Sequence, residues 1–268
     1  MMHINQRINV PYTDFDRVAP SFGAERGFPP EVGDDLCRIV LGAVAWKPED
    51  RFLEVGIGTG RIALPFLRAG VRYAGVDLSA PMLARCYESI VAEGQRALLV
   101  LGDATNMAFD TSSFDVVVAA SVFRVIRPPQ AAADEILRVV RRPGHVVIIS
   151  HGVAAGSTED ILGRRKRELL HAWGVRRTPE RDEETLQAMR VLHEAGGAPS
   201  VFRTRGWTRQ ETPRSFIRRS EKGGSVAGQP WAARLTEELE REALSHYGSL
   251  DGEEEVTRHL EITVVRLP

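Results

Sequence analysis

Between residues 52 and 150 the chain alternates short apolar runs with stretches whose apolar positions recur at helical spacing. The runs at 97–101, 115–120 and 145–150 carry few polar side chains, which predicts strands buried on both faces of a parallel sheet. Pro29 and Pro30 open a predicted helix with Val32, Leu36, Ile39, Val40 and Ala43 along one stripe. A second helix follows Asp77, with Ser79 as N-cap, Pro81 in its first turn and Gly94 at its end. Strand and helix alternate five times, the pattern of an α/β doubly wound sheet.

After Ser150 the rhythm changes. A charged helix over Glu159 to Ala172 precedes a second over Glu180 to Ala195, which sets Leu186, Met189 and Leu192 on one face. Ala198 to Arg203 reads as a sixth strand. Residues 205–257 form a long insertion, helical around Pro213 to Arg219, broken by glycines at 223–230, and helical again where Trp231, Leu235 and Leu239 fall four apart. His259 to Leu267 alternates like a strand that closes the sheet.

A chain of 268 residues, 43% of them apolar, can bury a substantial core. Its net charge of −1 provides no global field for nucleic acid or an anionic membrane. Cys37 and Cys86 make neither a disulfide framework nor a metal site, so no metal is expected. The start, MMHINQRINVPY, lacks the apolar core of a signal peptide, and no apolar run approaches the ~20 residues that span a bilayer. The expectation is a cytoplasmic protein without membrane insertion.

The segment Phe52 to Arg61, FLEVGIGTGR, concentrates the chemistry. An apolar strand breaks into Gly56, Gly58 and Gly60, and a helical pattern follows. Glycines there admit positive φ and close approach of a ligand, and the helix start offers free N–H groups. Glu54 sits inside the apolar strand, where a carboxylate is costly unless it has partners, so it organises the loop or its ligand. The dinucleotide fingerprint G-x-G-x-x-G would place its third small residue at Arg61, and the third glycine comes one residue early. Asp77, ending the next strand, can accept both hydroxyls of a ribose. These residues describe a nucleotide-type cofactor pocket.

Glu54 to Gly60 (E-x-G-x-G-x-G) followed by GVDLSAPML (Gly75 to Leu83) resembles the class I S-adenosylmethionine-dependent methyltransferases. LGDATNMAF (101–109), SFDVVVAASVFRVI (113–126) and LRVVRRPGHVVIIS (137–150) resemble further blocks of that family, in order. FDRVAPSF (15–22) is similar to the N-terminal segment of its ubiquinone/menaquinone-type branch. The resemblance implies a Rossmann-like, doubly wound seven-stranded sheet, mostly parallel with an antiparallel last strand, plus helical cap insertions. It implies one methyltransferase domain over 1–268: a lid at 1–30, a cofactor-binding core at 31–151, and caps at 152–178 and 205–257.

It also implies roles. Gly56, Ile57 and Gly58 cradle the methionine part of S-adenosylmethionine, Gly60 completes the loop, and Glu54 orders it. Asp77 binds the ribose, Leu78 and Met82 enclose the adenine, and Asp103 and the Ala104 N–H pair with it. Ser121 contributes backbone near the cofactor amino group. Phe15, Phe22 and Phe123 offer aromatic faces to a sulfonium, and Phe22 stands where relatives often have tyrosine. The product is S-adenosylhomocysteine.

Catalytic candidates are His151, directly after the fifth strand, and Arg124, which follows the fourth. His151 would serve as a base if the acceptor must lose a proton, and Arg124 could hold an anionic acceptor. Tyr12, His171 and Trp173 lie in segments suited to an acceptor pocket. The leading reading is a small-molecule methyltransferase acting on O, N or C. Arginines at 164, 165, 176, 177, 203, 205, 209, 214, 218 and 219 leave open an RNA or protein substrate, although neighbouring acids dilute that strip. A non-catalytic cofactor-binding module is the third reading. The acceptor, the atom methylated and the oligomeric state stay open.

Overall fold

The computed structural model describes residues 15–16, 19, 27–123, 125–175, 179–222, 226 and 228–268. They form two compact units: one of Phe15–Gly152, Glu183–Trp207 and His259–Pro268, the other of Val153–Asp182 and Thr208–Arg258.

In the first unit, β1 (Arg51–Val55), β2 (Arg72–Asp77), β3 (Leu98–Leu101), β4 (Phe114–Ala120) and β5 (Val140–Val153) run parallel in the order β3-β2-β1-β4-β5. The sheet continues through β8 (Glu254–Leu267) to β6 (Ser200–Arg203), and these two are antiparallel. The seven strands expected from the sequence are therefore present as β1 to β6 and β8. An eighth among the described residues, β7 (Trp207–Glu211), pairs with β8.

Alternate residues of each central strand feed opposite cores, as a pleated strand requires. Phe52, Val116, Val118, Val147 and Ile149 face α1 (Pro30–Ala43), α2 (Ala63–Arg68) and α3 (Ala80–Ala92). Leu53, Val55, Val117, Ala119, Val146 and Ile148 face α4 (Pro129–Val139) and the Ala188 and Leu192 side of α6 (Pro179–Glu194). Phe52 and Leu53 are both wholly buried, each contributing roughly 1.5–3 kcal/mol. Register sets Val55 level with Val76 and Ala119, so the segments leaving β1, β2 and β4 emerge together at the carboxyl edge.

Two expectations are corrected. The run 97–101 is not fully buried: β3 ends the sheet, and Leu98 and Leu101 are 58% and 61% exposed. Leu186 turns outward, because Ala188 and Leu192, four apart, take the buried face of α6. The strand β5 starts at Val140 and absorbs Pro143 and Gly144 at a register shift opposite Phe114 and Val116.

The second unit packs α5 (Thr158–Ala172), α7 (Pro213–Lys222) and α8 (Ala232–Tyr247) around Leu162, Leu169, Phe216, Ile217, Leu235 and Leu239. Glu211, fully buried, pairs there with Arg219 at 2.5 Å and Arg258 at 3.2 Å. Burial pushes the Glu211 carboxyl up, but Arg219, Ser215 and Arg258 outweigh it and hold it below the usual range. No described helix is long and apolar enough to cross a membrane.

Candidate cofactor site

The glycine loop is the direct continuation of buried β1. Gly56, Gly58 and Gly60 take φ of +70°, +57° and +80°, a region open to glycine and costly for other residues. The Gly56 and Ile57 N–H groups both donate to the Val76 carbonyl, at 2.8 and 3.1 Å, which pins the loop to the end of β2. A Cβ on Gly56 would stand 2.5 Å from Val122 Cγ2, and one on Gly60 would stand 2.7 Å from Cys86 Sγ. A Cβ on Gly58 would meet nothing within 4 Å. Two glycines thus serve close packing, while Gly58 faces open space.

Asp77 ends β2 beside this loop. Its Oδ2 accepts the Gly58 N–H at 2.8 Å and its Oδ1 accepts the Ser79 N–H at 2.9 Å. Burial raises the Asp77 carboxyl above its ordinary value; the N–H groups of Ser79, Gly58 and Leu78 pull down, and Asp16 pushes up. A carboxylate accepts about four hydrogen bonds, so acceptor capacity is left for hydroxyl donors. Ser79 caps α3 by accepting the Met82 N–H at 3.2 Å, and its own hydroxyl donates to Asp16 at 2.6 Å.

Glu54 is 1% exposed and accepts the Tyr73 hydroxyl at 3.0 Å. Burial pushes its carboxyl up to about 8, against the pull of Tyr73 and of the nearby Arg61 charge. Glu54 lies level with Gly75 of β2 and Val118 of β4, so it is a buried acid directly under the loop.

Around Asp77 the sites expected for adenine are distributed unevenly. Leu78 is 59% exposed, whereas Met82 is only 1% exposed and lies in the core. Asp103 is exposed and accepts both the Thr105 N–H and hydroxyl at 2.8 Å; Ala104 is half-buried. Ser121 takes φ of +55° at the exit of β4 and donates its N–H to the Ile149 carbonyl. Phe123 is buried, and its carbonyl accepts from the Thr185 hydroxyl at 3.3 Å.

His151 is exposed near the end of β5, and Arg61 Nη2 donates to its Nε2 at 3.0 Å. A guanidinium has no acceptor, so Nε2 receives the bond and the ring proton belongs on Nδ1. The Arg61 guanidinium also lies 5.7 Å from the Phe28 ring centroid, and Trp207 meets both Phe28 and the His151 ring edge-on or tilted. Phe15 is half-buried. His171 and Trp173 belong to the other unit, where Trp173 has the Arg234 guanidinium 4.3 Å over its ring. Tyr12, Phe22 and Arg124 lie outside the described residues.

Sequence reasoning missed Tyr73, Leu101, Asp16 and Arg61. Leu101 pairs with Asp77 in register and is exposed beside it, a position readable from its place just before Gly102-Asp103. Tyr73, two residues before Gly75, carries no motif signal at all. Asp16 and Arg61 act through contacts with residues far away in sequence.

A glycine loop, a ribose-type carboxylate and a buried acid on adjacent strands agree with a family match over residues 53–148, described as a methyltransferase domain. Residues 53–148 carry a class I S-adenosylmethionine-dependent methyltransferase domain. Among members of this methyltransferase family, the chain is 39% identical over 103 residues to a phosphatidylethanolamine N-methyltransferase of Cereibacter sphaeroides, 38% of this chain and 50% of that one. It is 28% identical over 197 residues to a demethylmenaquinone methyltransferase of Beutenbergia cavernae, 71% of this chain and 76% of that one. The chain thus spans only half the length of the first relative. The crystal structure of a putative methyltransferase from Bacillus halodurans shares the fold, with a TM-score of 0.56 at 19% identity over 87% of this chain and 98% of that one.

The methyltransferase cofactor fits the residues present. Asp77 keeps acceptor capacity for a diol, Gly58 opens onto space, and the exposed Leu78 and Leu101 flank Asp77 with apolar surface.

Proposed function

We propose that this methyltransferase-family chain moves a methyl group from S-adenosylmethionine to a small-molecule acceptor at O, N or C. The observation that carries the reading is Asp77, fixed by Gly58 and Ser79 at the carboxyl edge of a parallel sheet, where such folds bind ligands. When bound, the cofactor supplies a methyl group already activated by a positively charged sulfur. What remains for the chain is mostly positioning, which can contribute up to ~7–11 kcal/mol. Gly56 to Gly58 would hold the amino-acid part, Asp77 the ribose, and Leu78, Leu101 and Asp103 the adenine. His151 would take a proton from an acceptor that must lose one, provided Arg61 releases its Nε2.

A small acceptor is favoured by two of the relatives, which are named for phosphatidylethanolamine and demethylmenaquinone. It is also favoured by the arginines. Arg164, Arg165, Arg203, Arg214 and Arg219, five of the ten arginines of the strip, each pair with an acid within 4.0 Å, which dilutes its positive charge. The test incubates the chain with S-adenosylmethionine and a panel of amines and quinols, and follows S-adenosylhomocysteine. Turnover with one class supports the reading; turnover only with RNA or protein would replace it.

A further inference from the structure

Asp16 stands in a place that folding alone does not explain. Its exposed carboxylate accepts the Ser79 hydroxyl at 2.6 Å, 63 residues away in sequence. Ser79 already performs its capping work by accepting the Met82 N–H, so α3 does not require this partner. The same Ser79 donates its N–H to Asp77, and Asp77 in turn receives Gly58. One chain of hydrogen bonds therefore runs from Asp16 through Ser79 and Asp77 to the glycine loop. It also brings a second carboxylate near Asp77, and the charge of Asp16 disfavours ionisation there. Two like charges near one point are unfavourable until neutral hydroxyl donors arrive to share them.

We infer that Asp16 is a cofactor-positioning residue, which acts through Ser79 to hold the Asp77 carboxylate in the orientation that binds the ribose hydroxyls. This rests on the S-adenosylmethionine reading of the site. Asp16 need not touch the cofactor. By fixing Ser79 it limits how the turn from β2 into α3 can swing, and so sets the direction of both Asp77 oxygens. An asparagine at 16 retains an oxygen that can accept from Ser79, whereas alanine does not.

The test is calorimetric titration of the full chain with S-adenosylhomocysteine, on wild type, Asp16→Ala, Asp16→Asn, Asp77→Asn and the Asp16→Ala/Asp77→Asn double variant. Asp16→Ala is expected to raise Kd about fivefold to tenfold as the Asp77 carboxylate loses its set orientation, while the variant stays folded by its thermal melt. Asp16→Asn should stay within about twofold of wild type. In the Asp77→Asn background Asp16→Ala should make little further difference, a coupling that a merely structural role would not produce. Equal Kd for wild type and Asp16→Ala, or fully additive losses with Asp77→Asn, would overturn the inference while leaving the cofactor reading intact. Absence of binding by the wild-type chain would overturn both.

Discussion

The carboxylate of Asp77 accepts the backbone N–H of Gly58 at 2.8 Å, tying the end of the second strand to the middle of the glycine loop. One side chain thereby shapes the loop and keeps acceptor capacity for a ligand. Asp77→Ala is expected to weaken S-adenosylmethionine binding tenfold or more, about 1.4 kcal/mol, because both the ligand contact and the loop restraint go. Asp77→Asn should lose less, since its amide oxygen can still accept one N–H. Calorimetry on the two variants checks the order.

Gly60 is held by geometry rather than by ligand. At φ +80°, with Cys86 Sγ 2.7 Å from its would-be Cβ, it has two reasons to be glycine. Gly60→Ala is expected to cost roughly 2–4 kcal/mol, combining left-handed backbone strain with overpacking. Cys86→Ala removes only the second part. Urea denaturation should therefore show Gly60→Ala costing less in the Cys86→Ala background than in wild type. Equal costs in both backgrounds would mean that the clash relaxes freely.

Glu54 gives the fold a pH signature. Burial pushes its carboxyl up to about 8 from an ordinary value of 4.5. Between those values the folded chain keeps a proton that the unfolded chain has released, so stability falls as pH rises. The contribution is full below about 4.5 and is lost as pH passes through about 8. Glu54→Gln cannot titrate. Wild type is expected to lose stability relative to Glu54→Gln between pH 5 and pH 8, read from urea midpoints. Parallel pH profiles for the two proteins would show that Glu54 is ionised throughout.

Much of this was legible from the sequence where burial is continuous. The strands β1, β4 and the apolar half of β5 announce themselves, because both faces of each are covered and their buried residues, Glu54 apart, are apolar. The loop and Asp77 were equally legible, since glycine spacing and a strand-end acid reflect local backbone needs. β7 was not, as Trp207 to Glu211 reads WTRQE and buries only its last residue, leaving no period-two apolar signal. Nor could sequence show that β3 is an edge, because an apolar run looks the same whether one side or both are covered. The Asp16–Ser79, Glu54–Tyr73 and Arg61–His151 contacts span 63, 19 and 90 residues, and no local pattern encodes such pairings.

The arginine pairs carry a further expectation. With Arg164, Arg165, Arg203, Arg214 and Arg219 engaged by acids, the chain should show no salt-sensitive RNA affinity. A gel shift with structured RNA at low salt checks this. A complex that weakens steeply with added salt would restore the macromolecular reading.

We propose that the loop from Gly56 to Gly60, together with Asp77, holds S-adenosylmethionine. Isothermal calorimetry of the full chain with S-adenosylmethionine and S-adenosylhomocysteine tests it most directly. One-to-one binding at micromolar strength is expected, weakened at least tenfold in Asp77→Ala. Heat-silent titrations with the folded wild-type chain, or binding that Asp77→Ala leaves unchanged, would contradict it.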